Sequence, residues 1–223
     1  MGAKSRMAKM MIGPIQKFYR SVSPKERTLL SRLNSPLKIQ EFLDRMPYSA
    51  EDRYRCPLAV LREGEGHCFD GALFAAAGLR LLGFTPLIVY LIAENDDDHL
   101  LAPFKVNIHW GAVGKSNYSG LRFREPIHRS LRELVMTYFE PYFNVKGEKT
   151  LRSYTVPLNL SSYDRYDWMT SNDHLEIISD RLDEIRTVPL LTRKMVRNLS
   201  PVDPRSYRAG LLGARKAGLY EPE

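Results

Sequence analysis

Apolar positions along the chain fall into a few runs, separated by glycine-rich or charged breaks. Ser35-Pro36 opens a segment in which Leu37, Ile39, Phe42 and Leu43 recur at helical spacing through Arg45, which predicts an amphipathic helix. The sharpest change follows Arg62-Glu63-Gly64-Glu65-Gly66, a loop whose two glycines let the backbone turn tightly. From Cys68 through Leu82 the chain reads CFDGALFAAAGLRLL and then meets Gly83, the pattern of a mostly buried helix with a glycine stop. Thr85 to Ile92 is rich in apolar and β-branched residues, the profile of a strand covered on both faces. An acidic loop, Glu94 to Asp98, ends it. His99 to Val106 and Trp110 to Asn117 read as the next two strands, joined by a turn at Asn107-Ile108-His109. The expected centre is a buried helix followed by a three-strand antiparallel meander, and the expected fold class is α+β.

The flanks are less regular. Residues 1–34 read as a basic extension interrupted by Pro14 and Pro24, with a short helix over Lys25 to Leu33 and loose packing. Ser130 to Phe139 suits a helix that buries Leu131, Leu134, Tyr138 and Val135 and stops before Pro141. Tyr154 to Leu160 reads as extended, His174 to Ile185 and Val188 to Leu199 as short helices, and the tail from Pro201 as irregular. The expected organisation is an N-terminal extension over 1–34, a core over 35–160, and a helical and irregular C-terminal extension over 161–223 of the same domain.

Composition narrows the class. At 223 residues with 43% hydrophobic and 26% charged positions, the chain is of ordinary globular make-up and can bury a substantial core. Two cysteines, Cys56 and Cys68, are too few for a disulfide scaffold and lack the paired spacing of structural zinc, which points to a reducing cytoplasm. The longest apolar stretch, Pro86 to Ala93, is far too short to cross a bilayer, so no membrane span is expected. The net charge of +7 would favour encounter with a polyanion. Much of the excess lies near the ends, from Lys4 to Arg27 and from Arg193 to Lys216. No basic block with interleaved aromatics accompanies it, so nucleic acid is a partner without a motif.

The chemistry gathers around Cys68. A thiol in the first turn of a helix feels the unpaired N–H groups and the positive end of the dipole, both of which favour thiolate. Its base need not be near in sequence, and His99, opening a strand that returns beside the helix, fits. A third polar group would fix the imidazole tautomer, and Asn117 or Ser116 on the adjoining strand offers one. Cys56 lacks this setting and reads as structural. Asp96-Asp97-Asp98-His99 reads as a solvated loop rather than a metal site, because consecutive residues of an extended segment alternate faces.

Gly66-His67-Cys68, Ala72, the turn Leu81-Leu82-Gly83-Phe84-Thr85-Pro86, Asp98-His99 and Trp110 together resemble the transglutaminase-like superfamily, with its papain-type thiol fold, over about residues 36–145. The resemblance implies a cysteine, a histidine and an aspartate or asparagine in that chain order, matched here by Cys68, His99 and Asn117. It departs at Leu100-Leu101-Ala102, where the family carries an aromatic-acidic sequence, and at the aspartate usual after the later tryptophan, where Lys115-Ser116-Asn117 stands. It implies amide or acyl hydrolysis or transfer through a thioester on a peptide, protein or small amide, without organic cofactor or metal. The alternative is an inactive binding or scaffold protein on the same fold. Nothing in the sequence sets the oligomeric state.

Overall fold

A computed structural model describes residues 13–222. Residues 13–21 are helical. Four numbered helices then precede the sheet: α1 (Pro24–Arg32), α2 (Pro36–Arg45), α3 (Pro57–Glu63) and α4 (Cys68–Leu81). Strands β1 (Leu87–Ala93), β2 (His99–Val106), β3 (His109–Val113) and β4 (Arg124–His128) follow, then α5 (Leu131–Met136), β5 (Leu151–Thr155) and β6 (Leu158–Asn159). The chain closes with α6 (Glu176–Glu184), β7 (Thr187–Pro189), α7 (Arg193–Arg197) and α8 (Pro204–Gly210). The architecture is α+β: an antiparallel sheet in the order β4-β3-β2-β1-β5-β7, with β6 also paired to β1, and helix α4 buried against it.

Helix α4 forms where its sequence is apolar on every side, and every residue from Phe69 to Arg80 is buried. Its start is fixed twice: the Phe69 N–H donates to His67 Nδ1 at 3.2 Å, and the His67 N–H donates to the Asp70 carboxylate at 3.2 Å. Its end is the glycine turn, with Gly83 at φ 91° and the Phe84 N–H closing onto the Leu79 carbonyl. Arg80, buried in the last turn, is neutralised by the Asp164 carboxylate at 2.6 and 2.8 Å, which also accepts from the Trp168 indole. The sheet alternates as strands must: Ile88, Leu100, Ala102, Phe104 and Val113 pack with α4, whereas Val89, Leu91, Leu101 and Ala112 pack with Leu134, Tyr138, Tyr142 and Phe143 on the other face.

The structure corrects several details. β3 ends at Val113 rather than Asn117, because both backbone groups of Gly114 are taken by the Gln40 amide of α2, at 2.9 and 3.0 Å. β4 is a strand the sequence reading did not include; it lies at the edge of the sheet, where the missing N–H of Pro126 costs nothing. The described part of the N-terminal extension is not loosely packed: Phe18, Val22, Leu30 and Leu33 enter the main core. Val188 to Leu199 is not one helix. Pro189 interrupts it, Val188 pairs with Tyr154, and only Arg193–Arg197 is helical. The tail contains α8, started by the Asp203 carboxylate on the N–H groups of Arg205 and Ser206. No helix among the described residues is long and apolar enough to cross a membrane.

Candidate active site at the amino end of helix α4

Two buried charges hold the loop before α4 in place. Arg55, fully buried, reaches the Asp70 carboxylate at 3.3 Å and, outward, Glu63 and Glu65 at 2.9 Å each. Asp70 also accepts the Arg55 backbone N–H at 2.7 Å. Loop and helix start are thereby one unit, and Cys68 is presented rigidly at the first position of α4. Gly71, one turn along the same helix face, lets Lys115 approach; a Cβ there would collide with the Lys115 side chain.

Cys68 is half-buried and lines a cleft of about 720 Å³ together with Tyr48, His67, Tyr90 and Leu100. Residues 217–221 of the C-terminal segment form part of the wall. The thiol donates to the Asp98 carbonyl at 3.9 Å, in the peptide that immediately precedes His99. Burial pushes its pKa up to about 11; the nearby Tyr48 hydroxyl and Leu100 backbone act in the opposite direction, toward thiolate. The thiolate expected from the helix start alone is therefore not the resting state, because desolvation outweighs the donors.

His99 is 4% exposed, and its Nε2 lies 2.8 Å from the Leu121 carbonyl. A carbonyl only accepts, so the proton sits on Nε2 and Nδ1 is the basic nitrogen. Burial pushes the imidazole pKa down to about 4, leaving the ring neutral near pH 7. A Cβ on Gly114 would lie 3.3 Å from Nε2, so the neighbouring position in which a carboxylate could orient the ring carries no side chain.

The structure brings Cys68 onto the backbone that bears His99, but no hydrogen bond joins sulfur and imidazole among the described residues. Asn117 is engaged elsewhere. Its Nδ2 donates to the carbonyls of Arg215 and Gly218, at 2.8 and 2.9 Å, and its Oδ1 accepts the Arg215 N–H at 2.7 Å. Ser116 Oγ accepts the Tyr118 N–H. The partner of Nε2 is thus the Leu121 carbonyl, which no side-chain pattern announces. His67 has both ring nitrogens occupied, Nδ1 by the Phe69 N–H and Nε2 by the Arg53 carbonyl at 3.0 Å, and is no base for Cys68 in this arrangement.

Tyr48 was missed by sequence reasoning. It lines the cleft beside Cys68 because residues 48 and 66 form a parallel bridge, with the Ser49 N–H on the Gly66 carbonyl at 3.1 Å. Burial and the adjacent Cys68 keep its phenol protonated, hence a donor. No group of three or more metal-ligating side chains is found among the described residues.

No protein-family model matches the chain, and no curated protein matches it. Solved structures similar to parts of it include two of LapG. EGTA-treated LapG of Legionella pneumophila is 17% identical with a TM-score of 0.33, over 46% of this chain and 68% of that one. A second structure of the same organism's LapG has the same identity and TM-score, over 55% and 93%. A likeness at that level carries no argument about chemistry, which has to come from the site.

Proposed function

We propose that the chain is a transglutaminase-like protein in which Cys68 attacks the carbonyl carbon of an amide or related acyl group seated in the cleft, with His99 as the base. The observation that carries this reading is the position of the Cys68 sulfur, in an open cleft and against the peptide preceding an imidazole whose basic nitrogen is Nδ1. With both groups neutral at rest, the thiol proton passes to His99 as the S–C bond forms, and the oxyanion takes the Tyr48 hydroxyl as a donor. Collapse breaks the C–N bond, and the proton held by His99 goes to the leaving amine. Water or a second amine, deprotonated by His99, then attacks the thioester and releases Cys68. Leu121 holds the ring tautomer in the role first assigned to Asn117 or Ser116.

A second reading, a non-catalytic binding protein on the same fold, is favoured by the bare Gly114 position beside Nε2. A peptidyl acyloxymethyl ketone separates the two, because it alkylates only a thiol that attacks a carbonyl-bearing ligand in place. The enzyme reading expects a single adduct on Cys68, none in Cys68→Ala, and labelling slowed by about 100-fold in His99→Ala. An unmodified Cys68, or equal labelling in His99→Ala, overturns it.

A further inference from the structure

The walls of the cleft are not held alike. Tyr48 is tied to the start of α4 by its bridge to Gly66, and Leu182 of α6 is buried in the main core. Residues 213–222, which supply Ala217 to Glu221 to the wall, have neither kind of anchor. None of them is buried, and among the described residues their main-chain hydrogen bonds reach no further than Leu211, in the turn after α8. Side chains do the holding. Asn117 commits its whole amide to Arg215 and Gly218, the Arg215 guanidinium donates to the Tyr48 carbonyl at 3.0 Å, and Leu219 packs half-buried against the core cluster that contains Tyr118 and Tyr142. A segment held in this way opens at far lower free energy than the core beneath it.

The chain enters this segment through a ready pivot. Leu212 is exposed, and Gly213 sits at φ 76° with no atom within 4 Å of where a Cβ would stand, so a left-handed glycine in open space can turn at little cost. Further along, the fit is tight. A Cβ on Gly218 would lie 2.9 Å from the Tyr48 ring and 3.3 Å from Asn117 Nδ2, so a residue without a side chain is what lets the segment lie on Tyr48. The segment thus touches Tyr48 at its carbonyl and at its ring, and Tyr48 lines the cleft beside Cys68.

We propose that residues 213–222 are a strap over the Cys68 cleft: swung out about Gly213 it admits a polypeptide, and laid back on Asn117 it narrows the cleft and holds Tyr48 in place. The inference rests on the Cys68 cleft being the substrate site, and it makes the substrate a protein or peptide rather than a small amide. With the strap down the cleft holds about 720 Å³, the room of a drug-sized ligand. A chain that continues in both directions from the bond presented to Cys68 needs a wall that moves, and a small amide needs none. Closure over a bound chain would exclude water and complete the site, as lids do.

The test compares two thiol reagents of different bulk on Cys68 of the full chain, iodoacetamide and a maleimide carried on the central side chain of a decapeptide, read by peptide mapping at about pH 9. Neither reagent needs His99 or an amide carbonyl, so a Cys68 that the acyloxymethyl ketone fails to label can still show the strap. Gly218→Val, whose side chain collides with Tyr48 and lifts the strap, should speed the decapeptide reagent by about tenfold and change iodoacetamide by less than about twofold. Asn117→Ala, which removes three of the holding bonds, should do the same. Slow labelling of the buried Cys56 in both variants marks an intact fold. A decapeptide rate unchanged in either folded variant, or two reagents that speed up alike, overturns the strap.

Discussion

Two cysteines stand at two helix starts twelve residues apart, and what differs is what each sulfur is used for. Cys56 caps α3: its sulfur accepts the Ala59 N–H at 3.4 Å, its backbone N–H donates to Asn172, and the residue is 2% exposed. Cys68 starts α4, but there the capping is done by His67 and Asp70, so its sulfur is left to the cleft and to Tyr48. Burial raises both thiols above their ordinary pKa. A helix start is therefore not what sets a reactive cysteine apart. The distinguishing feature is a neighbour that relieves the sulfur of structural work and leaves it facing open volume.

The widest test of that contrast is catalytic. Cys68→Ala should lower turnover by more than about 1,000-fold with its circular dichroism unchanged, while Cys56→Ala should leave turnover near wild type and lose about 1 kcal/mol of stability in urea. The support beneath Cys68 gives the next largest effect. Asp70→Ala leaves Arg55 buried without its innermost partner and removes one of the two bonds that start α4, so denaturation should show a loss of about 3–5 kcal/mol.

A third test uses pH. The folded-state pKa of His99 lies below its unfolded value, so its full contribution is present above about pH 6.5 and is lost as pH falls toward about 4, because the unfolded chain binds the proton first. The loss is on the order of 3 kcal/mol. Comparing wild type with His99→Gln isolates it from Asp96, whose raised pKa of about 6 works in the opposite direction over the acid range. A stability difference between the two proteins that does not change between pH 7 and pH 4 contradicts the buried neutral imidazole. The smallest effect belongs to Asn117→Ala, which should free the C-terminal wall of the cleft at a cost of about 2 kcal/mol and speed proteolysis near residue 215, with a larger change in KM than in kcat.

Legibility followed sequence distance and the kind of group involved. Helix α4 was readable to within a residue, because its apolar run and Gly83 are both local. The β1–β2–β3 meander was readable for the same reason, through its apolar and β-branched run and the turn at Asn107, which adopts φ 56°. The neighbours of Cys68 were not. Tyr48 arrives through a bridge to Gly66, and the C-terminal wall through bonds from Asn117 to residues about a hundred positions away. The partner of His99 is a main-chain carbonyl, which any residue at position 121 would supply. Asn117 was singled out for its amide, and that amide is used in full, on the tail rather than on the imidazole.

The central claim is that Cys68 draws its reactivity from His99, and iodoacetamide labelling as a function of pH tests it most directly, with Cys56 as internal control. The account predicts that Cys68 outpaces Cys56 below the ordinary thiol pKa of about 8.5, and that His99→Ala slows it by at least about tenfold. Labelling of Cys68 that matches Cys56 at every pH, or that is unchanged by His99→Ala, would contradict it.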